Sequence, residues 1–120
     1  MKKKPFLDEA ELSVSFEAAK VVILPLPYEG GVSWEKGTAN APDAVFEASQ
    51  YLELYDEELR VEPLRIGICT AEAPIIPPQH EEMTKTVYKS VKTIIDQDKF
   101  LVSIGGDHSV TIGCFQAFKE

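Results

Sequence analysis

The run Gly105-Gly106-Asp107-His108-Ser109 directly follows an apolar segment and holds one of the two histidines in the chain. A neutral imidazole is a good ligand for borderline divalent metals, and a neighbouring carboxylate can hold its second ring nitrogen. Two glycines let the backbone turn tightly beside these side chains. Two interpretations fit the pattern: a metal-binding or catalytic role for His108, and an ordinary loop in which it is a polar side chain with a satisfied neighbour.

Other acidic and histidine residues do not join this group. Asp96 and Asp98 precede the apolar segment that His108 follows, and five strand residues at about 3.3 Å each separate the two ends by roughly 16 Å. This distance is too long for one metal cluster, so we predict a solvated turn at residues 96–98. His80 lies among prolines and glutamates at a predicted helix start, where we expect it to be at the surface.

Five further residues could have either a structural or a functional role. Cys69 and Cys114 lie in apolar stretches without metal-type spacing, which favours buried free thiols over a disulfide. Trp34 either packs in the interior or lines the mouth of a site, since an aromatic ring serves both uses. Gly67 and Gly113 are explained by close approach of helix and sheet rather than by ligand binding.

Three apolar segments alternate with three helical patterns. The predicted strands are Val21-Val22-Ile23-Leu24, ended by Pro25, then residues 64–69 and residues 100–104. The predicted helices begin at Pro42, at Glu81 and just after Ser109, and the first is expected to end near Leu52. Their apolar positions are Ala44, Val45, Ala48, Tyr51 and Leu52 in the first, Met83, Val87, Val91, Ile94 and Ile95 in the second, and Val110, Cys114, Phe115 and Phe118 in the third.

Alternating strands and helices predict parallel strands joined by crossovers, in an α/β sheet covered on both faces. Ligands of such sheets gather beyond the carboxyl ends of the strands, where residues 105–109 lie. No repeat or flexible linker divides the chain, so we predict a single partial domain over residues 1–120. Three short strands leave a sheet edge and apolar faces open.

Composition limits the classes of partner. The chain has 120 residues, 20 of them acidic and 12 basic, which gives a formal charge of −8. This acidic balance without a basic stripe argues against nucleic-acid binding, and it fits a cationic substrate. No apolar run approaches the roughly 20 residues that a bilayer requires, and Lys2, Lys3 and Lys4 are not followed by the apolar segment of a signal peptide. We therefore expect a cytoplasmic protein without a membrane partner.

Four segments of the chain resemble the ureohydrolase family, which includes arginases and agmatinases. Residues 103–113, with the sequence SIGGDHSVTIG, closely resemble its first metal-binding signature. Residues 23–28 are similar to the family's first strand, and residues 37–45 to its glycine-to-proline loop and first helix. With residues 48–56 added, the agmatinase branch is the nearest match.

The resemblance implies a three-layer α/β/α domain with a mainly parallel sheet, of which this chain is the amino-terminal portion. It also implies two manganese ions that activate water, so that agmatine would yield putrescine and urea; arginine, guanidinobutyrate and formiminoglutamate stay open as substrates. His108 would be a manganese ligand, supported by Gly105, Gly106 and Asp107, with Ser109 as a polar neighbour or helix cap. A small cationic guanidino substrate and a homo-oligomeric full-length protein are implied as well.

The chain departs from the family pattern in its ligands. The remaining ligands of the family come from an Asp-Ala-His-x-Asp motif and a later Asp-x-Asp motif, and neither is present in its proper place. We therefore expect the 120-residue chain alone to be inactive, with its catalytic and substrate-binding residues unknown. Glu35 and Lys36 stand where relatives often have arginine and proline. The alternative interpretation is a non-catalytic half-domain that serves as an interaction or assembly module.

Overall fold

Three parallel strands form the centre of the protein, whose computed structural model describes residues 3–9 and 11–120. The strands are β1 (Val21–Leu26), β2 (Ile68–Thr70) and β3 (Phe100–Gly105), in the spatial order β2-β1-β3. The helices are α1 (Ala41–Ser49), α2 (His80–Ile95) and α3 (Thr111–Lys119). The predicted α/β architecture with a parallel sheet is confirmed. Within the described ranges, no helix combines the length and hydropathy needed to cross a bilayer.

Helices cover both faces of β1, because alternate side chains of a strand point to opposite faces. The larger buried cluster contains Val22, Leu24 and Leu26 of β1, Met83, Val87, Val91 and Ile94 of α2, and Val110 and Ala117. Ile23 points to the opposite face, where Phe46 of α1 and Leu64 are also buried. The apolar face predicted for α2 is thereby confirmed, and the sheet is the middle of three layers.

The first strand continues through Pro25, where the sequence predicted its end. Val21 N donates to Gly67 O at 3.1 Å and Ile23 O accepts from Ala71 N at 2.8 Å, so the odd-numbered residues direct their backbone groups towards β2. Because β2 ends at Thr70, the missing N–H of Pro25 removes no ladder bond on that side. The prediction was wrong because it treated proline as a strand terminator regardless of where its nitrogen points.

Only the last residues of the second predicted strand, residues 64–69, form a strand in the structure. A 3-10 turn occupies Pro63–Ile66, and β2 begins at Ile68. Pro63 fixes the first φ angle of the turn, and Gly67 leaves the turn at φ 92°, in the region that favours glycine. The conformation therefore favours glycine at position 67. The predicted close approach is also present, since an added Cβ would lie 3.3 Å from Ala18 O, in the segment before β1 rather than in a helix.

Helix α1 buries a different face from the predicted one. The predicted apolar residues Ala44, Val45, Ala48, Tyr51 and Leu52 are all exposed, and the helix ends at Ser49 rather than near Leu52. Phe46 and Ser49 are buried instead. Ser49 Oγ donates to Phe46 O at 2.6 Å and accepts from Leu7 N at 2.9 Å, because residues 5–8 lie across this end of the helix. A serine satisfied in this way is buried at little cost.

Helix α2 matches its prediction more closely, and α3 does so only in part. Lys85 Nζ lies 3.4 Å from the carboxylates of both Glu81 and Glu82, which confirms the predicted ion pair across one helical turn.

Of the apolar positions predicted for α3, Val110 is buried and Cys114 is half-buried, but Phe115 and Phe118 are exposed. Gly113 and Ala117 are buried instead, because this face of α3 packs closely on α2. A Cβ added at Gly113 would lie 2.7 Å from Thr84 O and 2.8 Å from Val87 Cβ. Glycine at position 113 therefore permits close contact, here between two helices.

The outer edge of β3 is open, as the short sheet predicted. In the order β2-β1-β3, the far side of β3 has no paired strand among the described residues. Phe100 on this strand is 69% exposed, and Phe115 and Phe118 of α3 are 71% and 61% exposed. Unpaired strand edges next to apolar side chains are unusual on the surface of an isolated domain.

Candidate metal centre

Three loops meet at the carboxyl edge of the sheet: the β1 loop (residues 27–40), the β2 loop (residues 71–79) and the β3 turn (residues 106–110). Tyr28 connects them. Its backbone oxygen accepts a hydrogen bond from Asp107 N at 2.8 Å, and its hydroxyl donates to Pro78 O at 2.9 Å. Since Tyr28 is only 4% exposed, these bonds fix the β3 turn against a buried residue.

Glycine is needed at position 106 for close contact rather than for a tight turn. A Cβ there would lie 2.3 Å from Tyr28 O and 2.6 Å from Leu26 O, which are rigid backbone atoms. Neither Gly105 nor Gly106 has a positive φ, so the expectation that both glycines serve the turn itself was wrong. At Gly105 the one tight contact of an added Cβ would be with a methyl group of Val110, at 3.0 Å.

Asp107 caps the β3 turn. Its Oδ1 accepts hydrogen bonds from the backbone N and the hydroxyl of Ser109, and its Oδ2 accepts from Gly31 N at 2.8 Å. Of the two alternatives for Ser109, the polar neighbour holds and the cap does not, because the capping side chain is Asp107. The Asp107 carboxylate also does not hold the ring of His108, contrary to the sequence expectation. Three donors already occupy this carboxylate, which explains why it turns away from the imidazole.

The same contacts determine the charge of Asp107. Burial by itself raises the pKa of this carboxyl group, but hydrogen bonds from Ser109 and Gly31 outweigh it and, with the nearby His80, lower the pKa below its usual value. Asp107 is therefore ionised at neutral pH. His80 is exposed, as predicted.

His108 lies on the surface of the β3 turn, directly after β3. Its Nδ1 is 3.1 Å from Thr111 Oγ1, which restricts rotation of the ring. Metal-binding imidazoles commonly have one ring nitrogen on the metal and the other hydrogen-bonded to a polar group, and here the Thr111 hydroxyl is such a group. In the part of the chain that the structure describes, however, no three His, Cys, Asp or Glu side chains come together as a metal site.

The described residues therefore offer one suitable manganese ligand, whereas a complete site needs several. His108 suits the ion chemically, and the manganese role assigned to it by the resemblance stays a prediction. Asp96 and Asp98 lie at the opposite end of β3, in an exposed turn where Asp96 pairs with Lys92 at 2.9 Å. The prediction of a solvated turn there is confirmed.

Sequence reasoning missed Tyr28, Gly31 and Glu29. Glu29 Oε2 accepts hydrogen bonds from Gly37 N at 2.8 Å and Ala39 N at 3.4 Å, and these bonds lower the pKa of its carboxyl group. A usable signal was present, because all three residues follow β1 directly and the carboxyl ends of neighbouring parallel strands meet at one edge.

Trp34 and the two cysteines differ from their predictions mainly in how deeply they are buried. Trp34, on the β1 loop, is 91% exposed, so packing in the interior of the described residues was the wrong interpretation and lining the mouth of a site stays a prediction. Cys69 and Cys114 are free thiols, as predicted, although both are only partly buried. Burial raises the pKa of each thiol.

Comparisons with known proteins agree on one family. Residues 19–120 match the sequence profile of the arginase family. The N(1)-aminopropylagmatine ureohydrolase of Synechocystis sp. is 38% identical over 98% of this chain and 40% of its own length. The agmatine ureohydrolase of Thermoplasma volcanium superposes with a TM-score of 0.79 at 25% identity, over 98% of this chain and 39% of that one.

A third relative shares the fold. The Trypanosoma cruzi formiminoglutamase, whose structure contains Mn²⁺, superposes with a TM-score of 0.77 at 22% identity over 97% of this chain and 40% of its own. The chain therefore spans about 40% of the length of the curated relative and of the solved structures that it matches.

Proposed function

The chain belongs to the arginase family, and on this premise we propose that it supplies the first metal-binding turn of a manganese-dependent hydrolase that cleaves a guanidino group. The observation that carries the proposal is the His108 imidazole, exposed at the carboxyl edge of the sheet and held at Nδ1 by Thr111. Ligands of parallel sheets collect at this edge, so His108 is placed where a shared site would form.

The proposed substrate is a guanidine on a linear cationic chain, such as agmatine or its aminopropyl derivative. The names of the Synechocystis and T. volcanium relatives support this class. The products would be urea and the corresponding amine, which is putrescine for agmatine. The charge of −8 is compatible with a cationic substrate. We further propose that the enzyme acts in the cytoplasm as a homo-oligomer, without a nucleic-acid or membrane partner.

The residues in and next to the β3 turn would have different roles in metal binding. Manganese would supply Lewis-acid activation of water near neutral pH, and the Mn²⁺ in the T. cruzi structure supports its identity. His108 would donate one ligand, with Thr111 orienting its ring. Asp107 would keep the turn in place, since the donors on its carboxylate leave it unsuited to direct ligation.

Binding of Mn²⁺ tests the role of His108 directly. We expect weak binding to the purified chain, measured by the relaxation rate of water protons, and loss of that binding in His108→Ala. His80→Ala is the matched control, because it removes the only other imidazole. Equal Mn²⁺ binding by His108→Ala and the unaltered chain would contradict the assignment.

Urea release tests the completeness of the site. With one ligand present, the chain alone should release no urea from agmatine in excess Mn²⁺. Turnover by the purified chain would show that its own residues complete the site. In any longer protein that carries this chain, His108→Ala should abolish urea release, because the imidazole would then be one of several ligands of the active metal.

A second candidate function is that of a non-catalytic assembly module. The open edge of β3, with Phe100, Phe115 and Phe118 exposed beside it, favours a surface that pairs with another polypeptide. Size-exclusion chromatography separates the candidates, since a self-sufficient module should elute as a stable monomer with cooperative unfolding. Aggregation and binding of an apolar dye would favour an incomplete enzyme domain.

A further inference from the structure

One carboxylate joins two loops that are 76 residues apart in sequence. The Oδ2 atom of Asp107 accepts a hydrogen bond from Gly31 N in the β1 loop at 2.8 Å. The Oδ1 atom accepts from the backbone N of Ser109 in the β3 turn at 2.9 Å. The two oxygens of Asp107 therefore serve different loops, and a cap for the β3 turn alone would need only one of them.

The remainder of the β1 loop has few other attachments. Glu29 holds its far end through Gly37 N and Ala39 N, and Val32 N bonds Glu29 O at 3.2 Å. Residues 33–38 between these points are exposed, so little packing fixes them. Tyr28 O also accepts a hydrogen bond from Asp107 N, but Gly31 is the residue nearest to the exposed stretch that bonds the β3 turn. The position of this stretch relative to the β3 turn therefore depends on the bond between Gly31 and Asp107.

We infer that Asp107 is a positioning residue that fixes the β1 loop beside His108, so that the loop forms one wall of the guanidine site. The inference rests on the proposed function, which identifies the β3 turn as metal-binding. Asp107 acts through the loop and the turn and does not itself contact metal or substrate. A loop fixed in advance binds its ligand without a further loss of conformational entropy on binding.

Trp34 gives the experiment a specific probe, because it is the only tryptophan and is 91% exposed on the β1 loop. Asp107→Asn keeps the shape of the side chain but leaves one acceptor oxygen, which cannot serve both Gly31 and Ser109. We expect a larger fast component in the anisotropy decay of Trp34 fluorescence, with the far-ultraviolet circular dichroism unchanged. An unchanged decay in folded Asp107→Asn would overturn the inference.

Two control variants separate positioning from a general effect on stability. Ser109→Ala removes one bond to Oδ1 and leaves Gly31 bonded to Oδ2, so the decay of Trp34 should stay as in the unaltered chain. Asp98→Asn makes the same chemical change at the opposite end of β3 and should also leave the decay unchanged. If either variant loosened Trp34 as much as Asp107→Asn does, the specific role of Asp107 would be refuted.

Amide hydrogen exchange in the unaltered chain keeps the inference testable if Asp107→Asn does not fold. Gly31 N is bonded, whereas Ser33 N makes no hydrogen bond with any described residue, although both residues are exposed. Gly31 should exchange at least about tenfold more slowly than Ser33 after correction for intrinsic rates. Equal exchange rates would show that Asp107 does not hold Gly31 in place and would refute the inference. Neither measurement uses urea release, so failure of the proposed hydrolysis would be recognised separately.

Discussion

Gly106 shows how tightly single residues determine the carboxyl edge of the sheet. An alanine methyl group at this position would overlap backbone atoms of Leu26 and Tyr28. We predict that Gly106→Ala lowers the free energy of unfolding by about 2–3 kcal/mol, since overpacking against rigid atoms forces the backbone to move. Gly105→Ala should have a much smaller effect, because only a methyl group of Val110 must move. Urea denaturation of both variants measures the difference.

Glu29 should make the β1 loop sensitive to acid. Hydrogen bonds from Gly37 N and Ala39 N lower the pKa of its carboxyl group below the usual value of 4.5 in the folded chain. The stabilising contribution is therefore complete above pH 4.5 and is lost as the pH falls through the lower, folded-state pKa. Trp34 anisotropy should decrease over that range.

The variant Glu29→Gln isolates this effect from the titration of Asp107. It should lower the anisotropy of Trp34 already at pH 7, because a glutamine oxygen is a weaker acceptor than a carboxylate, and it should reduce the further change on acidification. A pH dependence identical to that of the unaltered chain would show that Glu29 does not control the loop.

The sequence indicated which residues could belong to the site more easily than it indicated what each residue contacts. A histidine directly after a predicted strand is a candidate metal ligand, although the pattern alone also allowed an ordinary loop. The structure places His108 at the exposed carboxyl edge of the sheet, where such a ligand would lie. The use of Asp107 to bind Gly31 could not be predicted, because local sequence patterns do not specify a contact across 76 positions. Similarly, glycine at position 106 is explained by the approach of a strand that lies 80 residues earlier.

At the scale of elements, periodicity succeeded where one face of a helix is clearly apolar. Helix α2 has such a face: four of its five predicted residues are buried, and the fifth, Ile95, is half-buried. Helix α1 has apolar residues on two faces, so its pattern could not identify the packed one. Phe46 and Ser49 are buried because residues 5–8 lie across the end of the helix. Packing of this kind overrides the local pattern.

The contact of Ser49 with the amino-terminal segment leads to a prediction for α1. Ser49→Ala leaves Leu7 N without its acceptor and should lower the free energy of unfolding by about 1–2 kcal/mol. Ser90→Ala in α2 is the matched control, because the Ser90 hydroxyl bonds only Thr86 O of its own helix. Thermal unfolding of both variants provides the measurement. Equal effects would mean that the amino-terminal segment contributes little to stability.

At the scale of the whole molecule, the described surface combines an unpaired strand edge with exposed phenylalanines on β3 and α3. The chain spans about 40% of the length of its curated relative. Its open β3 edge and the exposed phenylalanines of β3 and α3 lie where further strands and helices can extend the sheet. The architecture was predictable because alternating strands and helices favour a parallel sheet. The open side was also predictable, since three short strands cannot cover both edges.

These exposed phenylalanines should govern the behaviour of the chain in solution. We predict that the chain binds an apolar dye and self-associates, and that the double variant Phe115→Ser with Phe118→Ser does both less. The free energy of unfolding should change little, since both side chains are mostly exposed and contribute little packing. Dye fluorescence and analytical ultracentrifugation test the two parts.

Tyr51→Ser is the control for a general loss of apolar surface, because Tyr51 is 87% exposed just beyond α1. It should leave self-association nearly unchanged if the β3 and α3 side is the associating surface. If Tyr51→Ser reduced association as much as the double variant, apolar exposure anywhere on the chain would suffice. The open edge would then have no special part in self-association.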